Sequence, residues 1–211
     1  MYEREALTLL EELFKTQDIV LMAGGAMMYI DAVCNGLDNI PDIPLTLRRK
    51  VQSDYKDNGL EWLQEEVKRV DTAYFSTMSD PKNPQRLMHA LEVSLFSGKP
   101  YSTFRIGQKK KRPFNIRKIG LNRPRPELYD RINRRVDQML ADGLLEEARS
   151  VYPLKHLNSL QTVGYKELFD YFDGLTSFEE AVRLIKQNSR HYAKRQLTWF
   201  RHDSEIEWIN L

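Results

Sequence analysis

One run near the C-terminus constrains this chain more than any other. Residues 179–201 end in Arg190-His-Tyr-Ala-Lys-Arg-Gln-Leu-Thr-Trp-Phe-Arg201. At a helical turn of 100° per residue, Arg183, Arg190, Lys194 and Arg201 fall within about 40° of one another. Phe178, Ile185, Tyr192 and Trp199 step by sevens along the opposite side, and no acidic residue lies between Ala181 and Arg201. The pattern predicts a helix with one face for a core and the other for a polyanion. An ordinary solvated basic face has the same spacing.

The charge is bipolar. Net charge is +2, yet 104–125 holds nine Lys/Arg and no acid, and 181–201 holds six and no acid. These 15 of the 32 basic residues leave 17 basic against 30 acidic elsewhere. Two concentrated basic patches suggest nucleic acid or phosphate partners, without separating RNA from DNA. The 211 residues suffice for one or two domains with a real core. No apolar run approaches the roughly 20 residues needed to cross a bilayer, so no membrane partner is expected. The single Cys34 fits a reducing compartment, and the N-terminus lacks the pattern of a signal peptide, so the reading is cytoplasmic.

Periodicity predicts a helix over 3–15, then a short strand over 18–22 that stops at Ala23-Gly24-Gly25, then a helix over 26–34 ended by Gly36. Strand, Gly-Gly turn, helix is half of a parallel α/β layer. The NIPDIP segment at 39–44 marks an exit into an insertion, helical over 47–55, 61–70 and 84–96, the last with Asn83 as N-cap and Pro84 in the first turn. Residues 104–113 read as a mobile basic loop, 114–121 as a strand, 126–143 and 144–152 as helices, and 205–210 as a last strand. The fold class is α/β and mostly helical, with 1–43 and 113–211 as parts of the core and 44–112 inserted. Three short strands make a poor sheet alone, so the reading expects neighbouring strands from an N-terminal part upstream of Met1.

Four groups of residues carry chemistry. Gly24-Gly25 admits close backbone approach by a ligand, or is a plain turn. Arg135 lies about 20° from Leu128 within the apolar side of its helix, where a guanidinium needs a carboxylate, a bound phosphate, or an edge from which to snorkel. Gln85 and Arg86, in the first turn of their helix, offer bidentate donors to a base or phosphate, or are surface residues. Gly164-Tyr165-Lys166 joins an aromatic and a cation on a tight turn, suited to a single-stranded RNA loop or to packing. No GxxxxGK[ST] loop occurs, and the four histidines lack metal-ligand spacing.

Together these residues resemble the central and C-terminal portion of the tRNA dimethylallyltransferases, the isopentenyl transferases of tRNA. Leu21-Met-Ala-Gly-Gly-Ala-Met-Met-Tyr29 resembles LVGGTxLY. Asn83-Pro-Gln-Arg-Leu-Met-His-Ala-Leu-Glu-Val93 with Ser97-Gly98-Lys99 resembles NDPQRLxRALEV and SGK. Arg131-Ile-Asn-Arg-Arg135, Met139-Leu140 and Gly143-Leu-Leu-Glu-Glu147 resemble RIxxRxxxMLxxGLxxE. Thr162-Val-Gly-Tyr-Lys166 and Tyr192-Ala-Lys-Arg-Gln-Leu-Thr-Trp-Phe-Arg201 resemble VGYR/K and AKRQxTWxR. Five blocks in order make the resemblance specific, and it runs over nearly the whole chain.

The resemblance implies a partial P-loop-like parallel sheet with an inserted helical tRNA-binding domain. It implies transfer of a dimethylallyl group from dimethylallyl diphosphate to N6 of adenosine 37, in tRNAs reading codons that start with U. Mg²⁺ assists, its site expected mainly upstream of Met1 with the P-loop and the aspartate base. Arg135 matches the arginine that stabilises the leaving diphosphate. Gly24, Gly25 and Ala26 would meet substrate, with Ala26 standing where the family has Thr, a loss of about 1 kcal/mol of hydrogen bonding. Arg48, the segment Gln85, Arg86, Leu87, Met88 and His89, the segment Gln161, Thr162, Val163, Gly164, Tyr165 and Lys166, and the set Lys194, Arg195, Gln196, Trp199 and Arg201 would contact the anticodon stem-loop. The expectation is a chain that binds tRNA with impaired transfer, monomeric when full length. The alternatives are a stand-alone RNA-binding module and, less suited to the 161–201 residues, an enzyme acting on free adenine nucleotides.

Overall fold

Helices account for most of the chain, and two short strands lie side by side in parallel. The computed structural model describes residues 2–211. They divide into two units, one running up to Met22 and over Met28–Pro113, the other comprising Ala23–Met27 and Phe114–Leu211.

The first unit holds α1 (Tyr2–Leu13), most of α2 (Met27–Cys34), α3 (Leu45–Val70), α4 (Thr72–Thr77) and α5 (Pro84–Ser97). The two helices expected over 47–55 and 61–70 run on as α3, with a break at Gly59, whose φ of 81° is non-helical. α5 starts as its sequence dictates: the Asn83 side chain accepts from Arg86 N–H at 3.2 Å, and Pro84 follows at the first helical position. Its Leu87 and Leu91 pack with Val51, Leu63 and Val67 of α3 in one apolar core. Asp71 ties this core together. It caps α4 through Tyr74 N–H at 2.9 Å and takes Ser102 N–H at 2.6 Å and Ser102 Oγ–H at 2.9 Å from the 3₁₀ turn Tyr101–Phe104.

Two expectations for this unit fail for physical reasons. Residues 18–22 form no strand, and Leu21 is 89% exposed. Extended backbone gains its hydrogen bonds from a neighbour, and among the described residues none pairs with it. The segment read as a mobile basic loop is tethered instead. Lys110 N–H donates to Asn35 O at 2.7 Å, and the Arg112 guanidinium, its side chain 7% exposed, donates to Ala32 O, Val33 O and Glu3. Burial pushes the Glu3 carboxyl up, but hydrogen bonds from Arg112, Leu37 N–H and Lys110 outweigh it and hold the group below the usual range.

The second unit holds β1 (Lys118–Asn122), α6 (Arg125–Ala141), α7 (Leu144–Val151), α8 (Tyr165–Phe172), α9 (Phe178–Phe200) and β2 (Ile206–Asn210). β1 and β2 pair in parallel from Lys118 opposite Ile206 to Asn122 opposite Asn210. Lys118 locks their start: burial lowers its ammonium pKa, and the Asp203 and Glu205 carboxylates at 2.7 and 2.8 Å more than restore it. Val136, Leu144, Ala148, Leu168, Phe169, Ala181 and Ile185 form the core between α6, α7, α8 and α9.

Candidate nucleic-acid interface

In the first unit the fold brings together residues that the sequence offers separately. Arg48, in the first turn of α3, reaches α5 with its Nε 3.9 Å from a Glu92 carboxylate oxygen. Gln85 and His89 lie on the same stripe of α5 as Glu92. His89 is half-buried and meets the Tyr101 ring edge-on, centroids 5.4 Å apart. Burial, and then the Arg48 charge, holds its imidazole below the ordinary range. Burial pushes the Glu92 carboxyl up against the pull of Arg48. Gln85 and Arg86 are exposed, with Arg86 Nη1 donating to Ser79 Oγ at 3.2 Å. Leu87 and Met88 are not surface residues. Leu87 is 0% exposed and Met88 is buried beside it, because α5 is packed over most of its circumference. Their side chains hold the helix in place.

In the second unit the Gly-Gly turn has an occupant. Gln196 of α9 donates from Nε2 to Gly25 O at 2.6 Å, and a Cβ on Gly25 would lie 2.3 Å from that nitrogen. A side chain on residue 25 would therefore force the end of Gln196 to move. A Cβ on Gly24 would meet nothing within 4 Å, and Gly24 and Ala26 are exposed.

α9 bears out one half of its pattern at each end. Ala181 and Ile185 are buried, but Tyr192 and Trp199 are exposed, Trp199 by 49%. The basic side is neutralised near its start and open near its end. Arg183 is held by Glu180 at 2.6 and 2.7 Å, and Lys186 by Asp137 at 2.5 Å. Arg190 donates to Asn133 Oδ1 at 2.6 Å and sits over the Tyr129 ring. Lys194, Arg195 and Arg201 are exposed with no carboxylate partner among the described residues, Arg195 resting over Tyr192.

The 161–166 turn is pinned from beneath. Buried Glu167 accepts Gly164 N–H at 2.8 Å and Asn188 Nδ2 at 2.6 Å, joining the turn to α9. Gly164 has a φ of 105°, a region that disfavours any side chain. Gln161 Nε2 donates to Lys155 O at 2.6 Å. Tyr165 packs over Phe169, and its hydroxyl bonds to Glu147, which raises its pKa. Thr162, Val163 and Lys166 are exposed.

Arg135 does not face the core. Val136 is the buried residue of α6, and Leu128 lies about 80° round from it, at the edge of the apolar stripe. Arg135, a further 20° round, is exposed and has no carboxylate partner among the described residues. Among the described residues no group of three or more His, Cys, Asp or Glu is placed to hold a metal ion. No helix of the described residues is long and apolar enough to cross a membrane. Sequence reasoning missed Glu92, Glu167 and Asp71. For Asp71 and Glu167 the signal was present, each being an acid in or just before the first turn of a helix.

These surfaces belong to a mostly helical α/β protein with basic and amide-bearing faces turned to solvent. The IPP transferase family profile matches residues 1–203, and the chain belongs to that family. It is 53% identical over 209 residues to tRNA dimethylallyltransferase 1 of Bacteroides fragilis, covering 99% of this chain and 69% of that protein. It is 50% identical over 210 residues to tRNA dimethylallyltransferase 2 of Porphyromonas gingivalis, covering 70% of that protein. Its curated relatives are thus prenyltransferases by name, and the chain spans about two-thirds of their length. The crystal structure of the full-length tRNA isopentenylpyrophosphate transferase of Bacillus halodurans superposes with a TM-score of 0.64 at 34% identity, over 99% of this chain and 65% of that one. A eukaryotic dimethylallyltransferase acting on tRNA shares the fold, with a TM-score of 0.76 at 22% identity over 55% of its length.

Proposed function

We propose that this chain is the anticodon-loop-binding portion of a tRNA dimethylallyltransferase. In the whole reaction N6 of adenosine 37, in tRNAs reading codons that start with U, attacks C1 of dimethylallyl diphosphate. The C1–O bond breaks, diphosphate leaves, and the N6 proton passes to a base. The sequence holds no GxxxxGK[ST] loop, and the reading is of a chain that binds tRNA and, by itself, transfers poorly.

The observation that carries the reading is the open end of α9. Among the described residues Lys194, Arg195 and Arg201 have no carboxylate partner, on a helix whose first two cations, Arg183 and Lys186, are neutralised. Unpaired cations beside the exposed aromatics Tyr192 and Trp199 suit a backbone with unstacked bases. Arg135, exposed and without a carboxylate partner among the described residues, is available to an anion such as the leaving diphosphate, where it would act on charge developing in the transition state. Arg48 with Gln85, Arg86 and His89 makes the second RNA-facing group, within an inserted helical domain over 44–112 flanked by core segments 1–43 and 113–211. The full-length enzyme is read as a cytoplasmic monomer.

The test is binding of this chain to an anticodon stem-loop with adenosines at positions 36–38, against a scrambled loop, at two salt concentrations. Loop-selective binding that weakens with salt is expected. Equal binding to both loops overturns the reading in favour of a nonspecific electrostatic surface. Efficient turnover, with the modified nucleoside identified by mass spectrometry, overturns the impaired-transfer part.

A further inference from the structure

One side chain on α5 is at odds with a surface made for a polyanion. Glu92 is 9% exposed, and its carboxylate accepts no hydrogen bond from any described residue. Among the described residues its ionic partner is Arg48, 3.9 Å away and itself half exposed. A carboxylate held this way costs stability, and an apolar residue of similar volume would be neutral or better. It also repels phosphate. Neither property serves packing or nonspecific RNA binding.

The position of Glu92 suggests a use. Gln85, His89 and Glu92 fall within about 60° on α5, so the carboxylate opens onto the same stripe as the residues expected to meet RNA. Among the described residues Arg48, reaching over from α3, is the cation that meets Glu92. The unused lone pairs of Glu92 can be met only by an N–H or O–H donor. A phosphate offers none. An RNA loop offers these on the exocyclic amines of its bases, on the ring N–H of guanine and uracil, and on the 2′-hydroxyls. A 2′-hydroxyl lies next to its phosphate, where an anion is repelled, whereas the amino edge of a splayed base lies well away from the backbone.

We infer that Glu92 determines specificity by accepting a hydrogen bond from the exocyclic amine of an unpaired loop nucleobase, while Arg48 holds an adjoining phosphate. This rests on the RNA reading proposed above. A carboxylate accepting from an amino edge is an established base-reading contact. It also disfavours loops that present only acceptors at that place.

The test is a double-mutant cycle on the full chain. Wild type and Glu92→Leu are titrated with stem-loops lacking one exocyclic amine at a time, purine riboside for adenosine and inosine for guanosine. Deleting one particular amine is expected to weaken wild type about tenfold. Glu92→Leu is expected to be weakened to a similar degree already and to ignore that deletion. Glu92→Gln keeps an acceptor oxygen without the charge and should recover part of the sensitivity; if the Leu variant fails to melt cooperatively, the Gln variant carries the same cycle. Full sensitivity to every amine in the variants overturns the inference. So does coupling to a 2′-deoxy substitution instead of an amine. A wild-type chain that does not prefer the loop over its scrambled form overturns the RNA reading as well, and that result needs no variant to be seen.

Discussion

Gln196 and Gly25, 171 positions apart, are joined by a 2.6 Å hydrogen bond from the Gln196 side chain to the Gly25 carbonyl, at a distance that leaves no room for a Cβ on residue 25. The Gly-Gly turn and the AKRQ block therefore meet as one piece of structure in the second unit. Gly25→Ala should displace the end of Gln196, a flexible side chain that can move aside, and lose the bond. The expected cost is about 1 kcal/mol, measured by urea unfolding. Gln196→Ala should cost a similar amount, and the double variant no more than either alone. Additive losses would show that the two residues act independently.

Glu167 is the buried acceptor under the 161–166 turn. Glu167→Ala leaves Gly164 N–H and Asn188 Nδ2 without their partner and should destabilise the chain by about 2–3 kcal/mol. Asn188→Ala should cost less, since Glu167 then still accepts from Gly164. Equilibrium unfolding of both variants checks the order.

The cations of α9 should divide by partnership. Lys194→Gln, Arg195→Gln and Arg201→Gln should each weaken stem-loop binding. Each should also flatten the dependence of log affinity on log salt by about 0.7, the release of one counterion from a single strand. Arg183→Gln, on the same side but paired to Glu180, should change neither. Fluorescence titration over a salt series reads both quantities. An equal effect at Arg183 would mean that the whole basic stripe acts as one diffuse surface.

Glu3 should make the first unit sensitive to acid. Its carboxyl is lowered by Arg112, Leu37 N–H and Lys110 beyond what burial raises it. A depressed acid contributes fully above its unfolded value, about 4.3, and loses that contribution as pH falls through its lower folded value. Wild type should therefore exceed Glu3→Gln in stability at pH 6, with the gap closing toward pH 3. A gap that persists to pH 3 would assign the difference to packing.

Much of this chain could be read from its residues because the signals are local. Asn83 and Pro84 start α5 where a cap and a first-turn proline dictate, and Phe178, Ile185 and the basic residues set the two sides of α9. Five motif blocks in order carry the family, which the profile over residues 1–203 bears out.

What the sequence by itself determined is the helices, the approximate places of β1 and β2, and the family, since capping, periodicity and motif order act over a few residues. Tertiary structure alone decided the rest. Residues 18–22 have the composition of a strand but not the lateral partner that a strand needs. The outward turn of Arg135 was set by which residue of α6, Val136, met the core. The loss of Leu87 and Met88 from the surface followed from how fully α5 is surrounded. Glu180 and Asp137 chose which cations of α9 would be neutralised. Each outcome depends on which groups lie nearby in space, and spacing along the chain carries no record of that.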